Sequence, residues 1–163
     1  MKTKLAVLCS ANVCRSPVIE AILQKKIKEA ELKDIEVTSM GTDPECGTMY
    51  RDPVMVRLAM NHGYTIEGMN RYMTSEDLKD TDLILVMTMQ HKIQVQNKLP
   101  YHRWGSIRLF NEFCFGIDQP VNDPSYHEES IYEKTFKHLE DGCRIIIEKL
   151  KDGLDPIPQP EMY

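Results

Sequence analysis

The first twenty residues place a buried strand, a polar turn and a helix start in immediate succession. Leu5 to Leu8 form a short, continuous apolar run, typical of a strand that is buried on both faces. A polar turn over residues 9–15 follows, and then Ser16-Pro17, which predicts a helix with serine as N-cap and proline at the first helical position. Strands buried on both faces are typical of parallel sheets whose strands are joined by helices, so the chain is predicted to be an α/β protein.

The rest of the chain repeats this alternation of strands and helices. Further strands are predicted around Ile35 and Val37, over Leu83–Met87 and over Ser106–Phe110. Helices are predicted after Asp52-Pro53, at residues 74–77, over Met89–Leu99 and over Ser130–Leu150. We therefore expect a single-domain, four-stranded parallel sheet with helices on both faces. Ligands of such sheets bind at the carboxyl ends of the strands, where the turn after the first strand lies.

Length and composition exclude several classes of protein. The 163 residues predict one domain over 1–150, followed by a proline-containing C-terminal tail over 151–163. The net charge is −5 with no basic cluster, so we expect no nucleic acid partner, and no apolar run is long enough for a membrane span. The apolar stretch at the start of the sequence is too short for a signal peptide. The number of cysteines, five, is odd, which argues against a disulfide framework. We expect a cytoplasmic protein with reduced thiols, as a monomer or weak dimer.

The turn carries the motif C-x5-R-S, from Cys9 to Ser16. The backbone N–H groups of such a loop and the following helix N-terminus together suit a dianionic phosphate. The same helix dipole and Arg15 favour the thiolate form of Cys9, and the planar guanidinium of Arg15 can bind two phosphate oxygens. Ser16 can donate a hydrogen bond to the sulfur. These residues predict a phosphate-binding loop after the first strand, with Cys9 as nucleophile. The other candidate phosphate-binding residues are Ser10, Ala11, Asn12, Val13, Cys14 and Ser16.

From Lys4 to about Leu150, the sequence resembles the low-molecular-weight protein tyrosine phosphatases. The matching segments are 9–17, 39–42, 52–53, 61–63, 70–71 and 123–126. The resemblance implies a phosphoric monoester hydrolase that removes phosphate from phosphotyrosine proteins through a cysteinyl-phosphate intermediate, without a cofactor. It also implies a general acid shortly before the last helix, where Asp123 stands. Asp-Pro pairs also occur at Asp52-Pro53 and Asp155-Pro156, but Asp52 is expected to cap a helix and Asp155 lies in the tail.

The resemblance assigns supporting roles to four further positions. Asn12 and Ser39 match a pair that holds the loop in a strained geometry, and Arg71 matches an arginine kept outside the loop. Tyr126 matches an aromatic wall for the substrate ring, the alternative being a surface tyrosine. Cys14 matches the partner of a reversible Cys9–Cys14 disulfide that protects the thiolate, the alternative being a small buried side chain.

The sequence departs from the family pattern at four positions and leaves two other functions open. Ala11 replaces a loop glycine, Glu45 an aromatic residue, Gly68 a histidine and Thr88 an aspartate. One alternative function is a protein arginine phosphatase, but relatives with that activity typically have threonine where Val13 stands. The other is a non-catalytic phosphate-binding or redox-sensing module, against which the intact nucleophile, arginine and acid argue.

Overall fold

The computed structural model describes residues 2–43 and 49–156, and in them strands alternate with helices. Glu45, Cys46 and most of the predicted tail lie outside the described residues. The strands are β1 (Thr3–Cys9), β2 (Ile35–Gly41), β3 (Leu83–Val86) and β4 (Ile107–Leu109). The helices are α1 (Arg15–Glu29), α2 (Pro53–Asn61), α3 (Ser75–Leu78), α4 (Met89–Gln96), α5 (Phe110–Phe115) and α6 (Glu129–Asp152), with a 3₁₀ helix at Tyr101–Ser106.

The four strands form one parallel sheet in the order β2-β1-β3-β4, which confirms the predicted sheet. The chain moves from β1 to one side of the sheet for β2 and then to the other side for β3. The loop after β1 therefore lies at the point where the strand order reverses, which is the ligand-binding position of such sheets. Register places the end of β1 beside the ends of its neighbours, with Cys9 opposite Gly41 and Leu8 opposite Val86.

Apolar side chains cover both faces of the sheet, as predicted. In β1, Leu5 and Val7 face one cluster and Ala6 and Leu8 face the other, because successive side chains of a strand alternate between faces. The first cluster includes apolar residues of α1, α2, α5 and α6, and the second includes residues of α3 and α4. Within the described residues, no helix has both the length and the apolar character that crossing a bilayer requires.

The start of α1 differs from the prediction. The helix begins at Arg15 with Cys14 at the N-cap position, and the predicted N-cap, Ser16, lies inside the first turn. The Ser16 hydroxyl instead contacts Cys9 Sγ and accepts from Asn12, so it is not available to cap the helix. The capping prediction was right for α2, where the Asp52 side chain accepts from the N–H groups of Val54 and Met55.

Candidate active site

Five consecutive carbonyl groups of the loop after β1 point away from its centre and accept hydrogen bonds from other segments. Three of them accept from backbone N–H groups: Cys9 from Thr42 at 2.9 Å, Ser10 from Asp43 at 2.9 Å and Val13 from Asp52 at 3.0 Å. The Ala11 and Asn12 carbonyls accept from the side chains of Asn70 (2.9 Å) and Arg51, respectively.

This outward arrangement fixes where the amides of the loop point. In a trans peptide the C=O and the following N–H point in opposite directions, so the N–H groups of residues 10–14 face the concave side of the loop. The N-terminus of α1 begins at Arg15 and adds its own unpaired N–H groups to the same side. Convergent amides and a helix N-terminus form a binding site for an anion such as phosphate.

Cys9 lies at the base of this loop, and its sulfur contacts the Ser16 hydroxyl in the first turn of α1. Its side chain is almost fully buried, and Sγ lies 3.0 Å from Ser16 Oγ. Asn12 Nδ2 donates to Ser16 Oγ at 2.9 Å, so the serine oxygen is an acceptor there and its own proton can point at the sulfur. This contact suits the predicted hydrogen bond from the Ser16 hydroxyl to the thiolate form of Cys9.

Asn12 connects the loop to the segments around it. Its backbone is left-handed with φ of 56°, a conformation that asparagine tolerates better than most residues. Nδ2 also donates to Ser39 Oγ at 2.9 Å, while Oδ1 accepts from the Arg71 N–H at 3.0 Å and from Arg51 Nη1 at 2.9 Å. The contacts expected between Asn12 and Ser39 are present.

The four departures from the family pattern have different structural outcomes. Ala11 is not among the residues with positive φ, so alanine there carries no left-handed strain. Gly68 has φ of 76°, a conformation that favours glycine, and Thr88 caps α4 by accepting from the His91 N–H at 3.2 Å. The fourth, Glu45, lies outside the described residues. The three that are described therefore fit the local backbone.

Arg15 and Asp123 meet at the mouth of the loop. The Arg15 side chain is almost fully buried; Nη1 donates to the Val121 carbonyl at 2.8 Å, and Nη2 lies 3.8 Å from Asp123 Oδ2. Arg15 Nε is buried and has no hydrogen-bond partner among the described residues. Asp123 is about half exposed, at 49%, and its Oδ1 accepts from both the N–H (3.0 Å) and the hydroxyl (2.7 Å) of Ser125. The structure therefore brings the predicted arginine and the predicted acid together.

The remaining predicted residues lie at the edges of this site. Arg71 is exposed; it donates from Nε to the Ser39 carbonyl at 3.4 Å and lies 3.5 Å from Asp77. Tyr126 is fully exposed, with a left-handed backbone. Cys14 is buried and not disulfide-bonded, and burial, followed by the carboxylate of Asp52, raises the pKa of its thiol well above the usual range.

Three residues in contact with the loop were given no role from the sequence: Arg51, His91 and Asn70, the last of which lies in the matching segment 70–71. His91 lies on α4, and its Nε2 is 2.8 Å from Ser10 Oγ. Burial and the positive charge of Arg15 lower the pKa of His91 to about 4, so the imidazole is neutral at physiological pH. The available sequence signal was its place shortly after β3, since the carboxyl ends of β1 and β3 meet at one edge.

Comparison with known proteins identifies a family of phosphatases, in agreement with a loop that suits phosphate. Residues 4–155 match the model of the low molecular weight phosphotyrosine protein phosphatases, and the chain belongs to that family. It is 31% identical over 137 residues to the low molecular weight protein-tyrosine-phosphatase Etp of Escherichia coli K12, covering 83% of this chain and 86% of that protein. The predicted family and its class of enzyme, a phosphatase, are confirmed.

Two further relatives bear on fold and substrate. A crystal structure of a protein tyrosine phosphatase from Entamoeba histolytica, with Hepes in its active site, is 29% identical and superposes with a TM-score of 0.86. It covers 93% of this chain and 99% of that one. A protein-arginine-phosphatase of Bacillus subtilis is 28% identical over 144 residues, covering 88% of this chain and 94% of that protein.

Proposed function

We propose that this protein hydrolyses phosphotyrosine in protein substrates through a phosphate ester of the Cys9 thiol. The observation that carries this proposal is the loop itself, whose five outward carbonyls leave its amides facing the space beside Cys9. A buried Arg15 with an unpaired Nε at the same site suits a phosphate oxygen, because a buried N–H without a partner is costly.

In the first step, the Cys9 thiolate attacks phosphorus in line with the bond to the leaving oxygen. The S–P bond forms as the P–O bond breaks, and the loop amides and Arg15 stabilise the charge on the three equatorial oxygens. Asp123 donates a proton to the departing phenolate. The two hydrogen bonds from Ser125 occupy Oδ1, so we assign the proton transfer to Oδ2, the oxygen on the Arg15 side.

In the second step, water attacks the phosphorus of the cysteinyl phosphate. The carboxylate of Asp123 takes a proton from this water, the S–P bond breaks and phosphate leaves. The sulfur departs as a thiolate, which the Ser16 hydroxyl at 3.0 Å stabilises by a hydrogen bond. Thiols stay reduced most readily in the cytoplasm, so we assign the protein to that compartment.

Phosphotyrosine is the favoured substrate, and phosphoarginine is the second candidate because one relative is a protein-arginine-phosphatase. Val13, an aliphatic residue in the loop, supports tyrosine. Tyr126 lies three residues after the acid and is fully exposed, so its ring is available to a substrate ring. Steady-state phosphate release from matched phosphotyrosine and phosphoarginine peptides tests this choice. We expect turnover of phosphotyrosine that Cys9→Ser abolishes, and preferential release from phosphoarginine would contradict the choice.

The role of Asp123 has its own test. Asp123→Asn cannot donate the proton, so hydrolysis of aryl phosphates with poor leaving groups should slow much more than hydrolysis of those with good ones. The measurement is kcat/KM, which reports the step that releases the phenolate, over a series of aryl phosphates with leaving groups of increasing pKa. Asp155→Asn is the matched control, because it changes another Asp-Pro pair far along the chain. Equal losses at both ends of the series would refute the assignment.

A further inference from the structure

We propose that Arg51 and Asn70 are positioning residues that hold the phosphate-binding loop open toward its anion. The inference rests on the proposed function and extends it to two side chains outside the C-x5-R-S motif. Of the five outward carbonyls of the loop, those of Ala11 and Asn12 are the ones that accept from side chains, and the donors are Asn70 and Arg51.

Arg51 binds the strained residue of the loop at two points. Its Nη1 donates to the Asn12 carbonyl and also, at 2.9 Å, to Asn12 Oδ1. One guanidinium nitrogen therefore holds the Asn12 main chain and side chain together. Its Nε donates to the Glu67 carbonyl at 3.3 Å, which ties the arginine to the segment that carries Asn70.

Asn70 is held so that its donor faces the loop. The Met49 N–H donates to Asn70 Oδ1 at 2.8 Å, which requires the oxygen on that side and directs Nδ2 to the Ala11 carbonyl. An antiparallel bridge between Tyr50 and Met69 joins the two segments. Arg51 and Asn70 thus form one unit, which we call the clamp.

The clamp affects anion binding because of the direction of two peptide groups. If the peptide that follows Ala11 or Asn12 rotates, its carbonyl turns toward the anion and its N–H turns away. A carbonyl oxygen facing a dianion is repulsive, so each rotation removes a donor and adds an unfavourable dipole. Donors from the clamp stabilise the outward carbonyls and so favour the binding conformation before the anion arrives.

The test compares substitutions that remove the hydrogen bonds with ones that keep size or charge. Arg51→Met removes the hydrogen-bond donors, and Arg51→Lys keeps the positive charge but not the planar guanidinium with its several N–H groups. Asn70→Asp keeps the acceptor for the Met49 N–H and replaces the donor toward Ala11 by an oxygen. Arg57→Met is the matched control, since Arg57 pairs with Glu129 on the surface. For each, one measures the inhibition constant of orthovanadate, kcat and KM for an aryl phosphate, and thermal unfolding.

We expect Arg51→Met and Asn70→Asp each to weaken orthovanadate binding by about tenfold or more, with kcat falling as well. The loop N–H that turns away loses its hydrogen bond to the charged anion, and a hydrogen bond to a charged group contributes that much. Arg51→Lys should fall between wild type and Arg51→Met, and Arg57→Met should stay within about twofold of wild type, as surface ion pairs contribute little.

Other results would overturn the inference. Wild-type orthovanadate affinity in both Arg51→Met and Asn70→Asp, with only the unfolding temperature lowered, would show a merely structural role. Wild-type orthovanadate affinity in Arg51→Met alone would overturn the role of Arg51. A wild-type protein that neither turns over aryl phosphates nor binds orthovanadate would instead refute the proposed function.

Discussion

Replacing Asn12 with alanine or glycine separates the two things that this residue contributes to the loop. Both substitutions remove the four side-chain hydrogen bonds to Ser16, Ser39, Arg51 and Arg71. They differ in the backbone, because the φ of 56° suits glycine and strains alanine. The difference in free energy of unfolding between the two variants therefore reports mainly the strain of alanine in the left-handed conformation. The difference between either variant and wild type reports mainly the lost hydrogen bonds.

The expected sizes follow from these contacts. Each lost hydrogen bond costs about 0.5–1.5 kcal/mol, and because the serine hydroxyls can turn to other partners, we expect a total loss of about 2–4 kcal/mol. Alanine in a left-handed conformation costs about 1–2 kcal/mol, against about 0.5–1 kcal/mol for the extra flexibility of unfolded glycine. Asn12→Ala should therefore be less stable than Asn12→Gly by about 0.5–1 kcal/mol.

The assay is urea unfolding at equilibrium, combined with kcat on an aryl phosphate below the unfolding transition. Both variants should lose most of their activity while still folded, because the loop loses its link to Ser39 and to the Ser16 hydroxyl that serves Cys9. Wild-type stability in Asn12→Ala, or a glycine variant less stable than the alanine variant, would refute the reasoning about the left-handed backbone.

Two further predictions concern the free energy of unfolding. Gly142→Ala should lower the free energy of unfolding by about 1–2 kcal/mol, because overpacking outweighs the gain in helix propensity. A Cβ there would overlap Cζ of the fully buried Phe110, and unchanged urea stability would contradict this. His91 has its pKa lowered to about 4 in the folded protein, so stability is greatest above the unfolded value near 6.5 and falls as the pH drops toward 4, by at most about 3 kcal/mol. His91→Gln should flatten this dependence in urea unfolding at a series of pH values, and an unchanged slope would contradict the assignment.

The order of strands and helices and the position of the loop could be predicted because their signals are local. The apolar run of β1, the C-x5-R-S motif and the Asp52-Pro53 helix start are each signals contained within a few consecutive residues. The capping role predicted for Ser16 was wrong because the helix begins at Arg15, which places Ser16 inside the first turn. Its hydroxyl has partners in Cys9 and Asn12, and these become neighbours only when the loop closes.

The rest of the site depends on contacts between distant parts of the chain. Arg51 contacts Asn12 across 39 positions, Asn70 contacts Ala11 across 59, and His91 contacts Ser10 across 81. No helical or strand periodicity marks Arg51 or Asn70, because both lie in segments between regular elements. The sheet order and the bridge between their segments bring them to the loop, so a single sequence without a fold could not identify them.

The most direct test of the account is to trap the enzyme during turnover and locate the phosphoryl group. Wild-type protein is mixed rapidly with an aryl phosphate, quenched within the first turnover and mapped by peptide mass spectrometry. The account predicts a burst of phenolate together with a phosphoryl group on the sulfur of Cys9, and no burst in Cys9→Ser. Steady turnover without any phosphorylated protein, or a phosphoryl group on Ser10 or Cys14 instead, would contradict it.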